Sequence, residues 1–206
     1  MHDENDDRPR FVVGLGNPGT KYARTRHNVG FRVLEALRRR WGLDTPRKTF
    51  GGLLWDARAV TSDAPARTML LEPHTYMNRS GLAVRDMMAF YKAELDEVLI
   101  VLDDMNLPLG RLRARPGGSA GGQKGLADIL VKLASRQVPR LRIGIGSPPP
   151  SMDGVDFVLT TFRKDEEQCI AVAVATASDA VEDWLSHGLS FVMEKYNRKP
   201  DSDEYP

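Results

Sequence analysis

The chain has 206 residues, 41% apolar and 28% charged, with one cysteine and a formal net charge of +1. That balance suits one globular domain with a full core, and the single Cys169 excludes an internal disulfide and a multi-thiolate metal site. No apolar run approaches the ~20 residues of a membrane-spanning helix, and the acidic start Met1-His-Asp-Glu-Asn-Asp-Asp is unlike a basic signal sequence, so a cytoplasmic protein without membrane attachment is expected.

Phe11-Val-Val-Gly-Leu reads as a buried strand over 11–15, and Gly16 and Pro18-Gly19 then keep the chain from entering a helix at once. Asn17 is thereby presented at a strand end. Apolar residues at 29, 33, 34, 37 and 41 predict a helix over 29–41, which places His27 near its N-terminus, where a cation is disfavoured and a neutral imidazole can act as a base. Gly14, Gly16 and Gly19 satisfy the dinucleotide pattern G-x-G-x-x-G, but Pro18 and the polar residues 20–28 delay the helix by about two turns, which does not suit a pyrophosphate.

Strands over 53–60 and 67–72 follow, as a possible hairpin, and then a helix over 79–92 with Leu82, Met87, Met88 and Tyr91 for its buried face. Between them, Asn78 and Ser80 read either as N-caps or, for Asn78, as an amide donor to a developing oxyanion, with Tyr76 and Met77 as an apolar shelf. The run Val98-Leu-Ile-Val-Leu predicts an interior strand over 98–103 ending in Asp103-Asp104. In open α/β sheets the ligand crevice lies at the carboxyl ends of strands, and Asn17, Asn78 and Asp103 all fall there. A carboxylate on one imidazole nitrogen raises the basicity of the other, so Asp103 and His27 can form a water-activating pair; a metal held by the two aspartates is the competing reading.

A strand over 109–115 carries Arg111, Arg113 and Arg115 on one face, followed by the glycine loop 116–125 and a helix over 123–135. The loop amides and Lys124 suit a phosphate, and Arg140 and Arg142 lie on one face of the next strand, 141–146. Residues 108–148 hold eight bases against one acid, Asp128, which suggests a track for a nucleic-acid backbone. Gly117-Gly-Ser119-Ala-Gly121 also matches the G-x-S-x-G nucleophile elbow, with Asp153 or Asp156 and His187 downstream, but it follows a basic strand rather than an apolar central one.

The proline-rich stretch 147–154 reads as a loop, either bordering a cleft or serving only as a connection. A strand over 156–160, a helix over 166–186 ending near His187 and a last helix over 189–197 complete the chain. Strands and helices interleave, so the expected fold is α/β: a single domain over 10–197, with a mixed twisted sheet and helices packed on both faces. Acidic tails over 1–9 and 198–206 flank it, and over 10–199 there are 28 bases against 21 acids.

Five segments, in order, resemble bacterial peptidyl-tRNA hydrolases: Gly-Leu-Gly-Asn17-Pro-Gly-x-x-Tyr22-x-x-Thr-Arg-His27-Asn28-x-Gly, Thr75-Tyr-Met-Asn78-x-Ser-Gly, Asp103-Asp-Met-Asn-Leu-Pro-x-Gly, Gly-Gly-Ser-Ala-Gly-Gly-x-x-Gly125-Leu and Arg140-Leu-Arg-Ile-Gly-Ile-Gly. The resemblance implies a monomer that, without a cofactor or metal, hydrolyses the ester between a peptide and the 3′ ribose of tRNA and so recycles tRNA. It makes His27 the general base, Asp103 its orienting carboxylate, Asn17 a reader of the peptide bond and Asn78 a ligand of the substrate carbonyl. Tyr22, Tyr76 and Met77 then line the cleft, and Arg113, Arg115, Arg140 and Arg142 belong to a tRNA-contacting surface. The glycine loop departs from the family's common Gly-Gly-His-Asn-Gly-Leu, with Gln123-Lys124 in place of His-Asn. Lysine donates but cannot accept. A non-catalytic RNA-binding relative, of the splicing-associated branch, is therefore the alternative reading.

Overall fold

The computed structural model describes residues 8–60 and 65–198. Residues 1–7 and 199–206, most of the two expected acidic tails, lie outside the described residues. Strands β1 (Arg10–Gly14), β2 (Arg47–Thr49), β3 (Gly52–Val60), β4 (Pro65–Pro73), β5 (Val98–Asp104), β6 (Leu112–Arg115) and β7 (Arg140–Gly144) form a single sheet in the order β2-β3-β4-β1-β5-β7-β6. Its centre is parallel, β4 and β5 flanking β1 and β7 following β5, while β2, β3 and β6 run antiparallel to their neighbours. The expected mixed sheet is present, and β3 and β4 are the expected hairpin.

Successive side chains on a strand alternate between faces, and this divides the core in two. Val12, Leu70, Leu99, Val101, Leu141 and Ile143 join the layer that also holds Val33, Leu37, Ala177 and Trp184 of helices α1 (Val29–Trp41) and α5 (Lys164–Tyr196). Phe11, Val13, Met69, Leu71, Ile100 and Leu102 join the opposite layer, with Val84 and Met87 of α2 (Ser80–Tyr91) and Leu126 and Ile129 of α3 (Lys124–Lys132). All seven residues of β5 are buried. Its five aliphatic side chains are each worth about 1.5–3 kcal/mol of burial, so this strand anchors the layout of the sheet.

In place of the expected strand over 156–160, the short helix α4 (Gly154–Val158) runs into a turn at 159–160. Asp153 Oδ1 accepts the N–H groups of Val155 at 2.6 Å and Asp156 at 3.0 Å, an N-cap that starts a helical turn despite the β-like run Phe157-Val-Leu. The two expected last helices are present as the two segments of α5, which spans Lys164 to Tyr196 and kinks at Gly188, whose φ of 79° and ψ of 178° lie outside helical space. The edge strand β2 carries only Arg-Lys-Thr and was not expected. β6, shorter than the expected 109–115, forms the other edge. There the Asn197 side chain pairs with Ala114 like a strand, accepting its N–H at 2.7 Å and donating to its carbonyl at 3.0 Å.

Candidate active site

The carboxyl ends of β1, β4 and β5 meet where the sheet order reverses around β1, the place at which α/β sheets bind ligands. After β1 the chain loops through residues 15–25, forms a 3-10 turn (Arg26–Asn28) and runs into α1. Gly30 lets α1 start flush against the sheet, since a Cβ there would lie 2.5 Å from both Leu15 N and the Val101 carbonyl. This close seating brings His27 onto the end of β5. His27 Nδ1 lies 2.7 Å from Asp103 Oδ2, with the histidine 8% and the aspartate 2% exposed. The carboxylate accepts the Nδ1 proton and leaves the Nε2 lone pair for the cleft that His27 lines.

Arg26 fixes the turn from behind. Buried itself, it donates through Nε to Thr160 Oγ1, through Nη1 to the Ile145 carbonyl and through Nη2 to Glu166 Oε2, and it stacks against Phe157 and Phe162. Burial pushes the Glu166 carboxyl up, but the Arg26 guanidinium, the Arg163 backbone N–H and the Arg163 charge together hold it below the ordinary value of 4.5. Neighbouring side chains on a strand diverge, so Asp104 turns away from His27 and pairs with Arg142 Nη1 at 3.2 Å. The two aspartates are thus separated in use, and no cluster of three or more metal-ligating side chains occurs among the described residues.

Asn17 is held on three sides. Asn28 accepts its backbone N–H and donates to its carbonyl, both at 2.9 Å, and its own Oδ1 accepts the Met77 N–H at 2.9 Å. That bond fixes which end of the amide faces Met77 and turns the Nδ2 hydrogens toward a ligand. Opposite, Tyr76 takes a φ of 61°, rare for a bulky residue, and stands 55% exposed at the cleft.

A cleft of about 510 Å³ joins these groups. Of the residues expected from the sequence, Asn17, His27, Tyr76, Met77, Asn78, Asp103 and Lys124 all line it, and Tyr22, Arg113, Arg115, Arg140 and Arg142 are not among its lining residues. Asn78 does not cap α2; Ser80 Oγ instead donates to the Met77 carbonyl, and Asn78 is exposed to the cleft. Sequence reasoning missed Gln123 and the apolar wall formed by Met105, Val158 and Leu159. The wall was hidden by the reading of 156–160 as a strand, although Asp153 before Gly154 was a signal for a helix start.

The arginines divide into two kinds. Arg113 and Arg115 point outward from β6 and sit directly opposite Arg142 and Arg140 on β7. Like charges so paired repel, which the structure offsets locally. Arg140, 1% exposed, donates to the carbonyls of Val138, Gly118, Ser119 and Arg136 and so sews down the glycine loop. Burial, then Arg142 and Arg115, push its guanidinium down to about 10, still charged at neutral pH. Arg142 donates to the Ala120 carbonyl besides pairing with Asp104. Arg140 therefore does not share an open face with Arg142 as the strand alternation suggested.

The family model for peptidyl-tRNA hydrolase matches residues 11–204. The peptidyl-tRNA hydrolase of Rhodopirellula baltica is 45% identical over 188 residues, covering 91% of this chain and 97% of that protein. That of Syntrophomonas wolfei is 42% identical, covering 91% of this chain and all of its own. The crystal structure of the Acinetobacter baumannii enzyme superposes with a TM-score of 0.84 at 33% identity, over 93% of this chain and 95% of that one. With the sheet order, the buried His27–Asp103 pair and these matches in agreement, the chain belongs to the peptidyl-tRNA hydrolase family.

Proposed function

We propose that the cleft hydrolyses the peptidyl-tRNA ester with His27 as general base, and the observation that carries this is the 2.7 Å bond from His27 Nδ1 to the buried Asp103. Nε2 takes a proton from water as the water oxygen attacks the ester carbonyl. The resulting oxyanion faces the side-chain amide of Asn78 and the ammonium of Lys124, both donors on the cleft wall. Collapse breaks the acyl–oxygen bond to the terminal ribose, whose oxygen regains a proton from the imidazolium, releasing peptide and tRNA. An aminoacyl ester is already activated, so a delivered water and a few donors suffice.

Asn17 reads the peptide bond. Its free Nδ2 donates to the carbonyl oxygen of the blocking acyl group. An unblocked aminoacyl ester offers an ammonium there instead, and donor faces donor. Tyr76 and Met77 flank the acyl and adenosine ends, and Met105, Val158 and Leu159 form the apolar floor for the peptide. Arg113 and Arg115 take tRNA phosphates, while Arg140 and Arg142 shape the loop beside them. The working unit is a monomer over residues 10–197, acting in the cytoplasm where tRNA is used.

The test is release of N-acetyl-aminoacyl product from labelled tRNA by the wild type and by His27→Ala, with unblocked aminoacyl-tRNA as control. Cleavage of only the blocked ester, at least about a hundredfold slower in the variant with tRNA binding retained, supports the reading. A folded wild type that binds tRNA without cleaving it identifies a non-catalytic RNA-binding relative, and equal loss of binding and turnover in His27→Ala removes the base assignment.

A further inference from the structure

Gln123 closes the glycine loop and caps α3. Its Oε1 accepts the Leu126 N–H at 2.7 Å, and its Nε2 lies 3.1 Å from Asp103 Oδ1 and 3.1 Å from Met77 Sδ. The two ends of a carboxamide have nearly the same shape but opposite chemistry. A backbone N–H can be met only by the oxygen, so the cap itself dictates that the NH₂ end faces β5. Asp103 is consequently held at both oxygens, Oδ2 by His27 and Oδ1 by Gln123, from the starts of two helices on different parts of the chain. A carboxylate bonded at one oxygen turns about its terminal torsion with little resistance, whereas one bonded at both has a single orientation, and the imidazole plane follows it.

Resting on the reading of His27 as the base, we propose that Gln123 is a positioning residue for the reaction, its amide N–H locking the Asp103 carboxylate and through it the ring of His27. A neutral amide donates in the same way across the whole working range of pH. The cap that stabilises α3 and the lock that aims the base are two ends of one side chain, so the start of α3 and the catalytic pair are mechanically joined.

Two variants separate the cap from the lock. Gln123→Ser keeps an oxygen for the start of α3, where serine is among the best caps, but is too short to reach Asp103. Gln123→Met fills the space and supplies neither function. Both are assayed on N-acetyl-aminoacyl-tRNA beside His27→Ala, with thermal unfolding and the downfield proton resonance of His27 Nδ1–H as further readouts. The expected result is a kcat lower by roughly 10- to 100-fold in both variants, with KM within about twofold of wild type and the Nδ1–H resonance shifted or broadened in both. Only Gln123→Met should lose thermal stability. Wild-type kcat in either variant, or a loss of kcat confined to the less stable one, overturns the lock and leaves a cap. Should His27→Ala itself keep wild-type turnover, the assignment of the base fails and the proposal falls with it; an inactive His27→Ala beside fully active Gln123 variants fails the lock alone.

Discussion

Asn28 holds Asn17 by its backbone alone, accepting the N–H and donating to the carbonyl at 2.9 Å each, so the side chain of Asn17 is left to accept the Met77 N–H through Oδ1 and to present Nδ2 to the cleft. Asn28→Ala should cost about 1–3 kcal/mol, the scale for losing buried hydrogen bonds. It should also narrow the preference for N-blocked over unblocked aminoacyl-tRNA. Chemical denaturation and the ratio of the two kcat/KM values measure both effects. A preserved ratio in a destabilised variant would mean that Asn17 does not read the acyl group.

The outward arginines of β6 and the buried one of β7 should behave differently. With Arg113 and Arg115 taking tRNA phosphates as proposed, Arg113→Ala with Arg115→Ala should flatten the plot of log binding constant against log salt by roughly 1.5 while the fold is unaffected. Arg140→Ala removes a guanidinium donor from four carbonyls and should mainly lower the unfolding temperature. An unchanged salt slope in the double variant would move the tRNA surface elsewhere.

Tyr76 is held at a φ of 61° on the cleft wall and is 55% exposed. Such backbone geometry costs about 1–3 kcal/mol in a residue of this size, and glycine adopts it freely. Tyr76→Gly should therefore keep or raise stability while KM for peptidyl-tRNA rises. A variant that is less stable than the wild type and unchanged in KM would mean that the ring serves packing rather than substrate.

The buried Arg26–Glu166 pair predicts a pH dependence of stability. The Glu166 carboxyl is held below its ordinary 4.5 in the folded protein, so its contribution is fully present above that value and is lost as the pH falls through the lowered one. Glu166→Gln should lower stability near neutrality by about 3 kcal/mol, because Arg26 is left buried without its counter-charge. The gap between wild type and variant should close as the solution is acidified below pH 4.5. Parallel unfolding curves over that range would count against the pair as the acid-sensitive link.

The interior of the fold was legible because it is written in short-range pattern. Val98-Leu-Ile-Val-Leu can be little other than a central strand, and the convergence of Asn17, Asn78 and Asp103 follows from parallel topology without any knowledge of distances. What stayed hidden depends on partners remote in sequence. Arg47-Lys-Thr carries no apolar run, and it forms β2 only because β3 is there to pair with it. Phe157-Val-Leu has strand-like side chains, yet one carboxylate at Asp153 turns it into a helix. Arg140 and Arg142 share a parity, but both are drawn in to carbonyls of the glycine loop, Arg140 to burial and Arg142 to its pairing with Asp104. Gln123 reads as a helix start that departs from the family pattern, and nothing short-range joins it to Asp103, 20 positions away.

The side-chain amide of Asn197 takes the place of a neighbouring strand for Ala114, a residue 83 positions earlier that lies between Arg113 and Arg115. During synthesis the basic ribbon therefore emerges long before the residue that finishes its edge. Until the end of α5 has left the ribosome, the N–H and carbonyl of Ala114 lack the amide that pairs with them in the folded chain, and the two arginines stand on an unfinished border. The border beside the two arginines proposed to take tRNA phosphates is thus finished only after a further 83 positions have been made, so the ribbon gains its final edge well after its own strand has emerged.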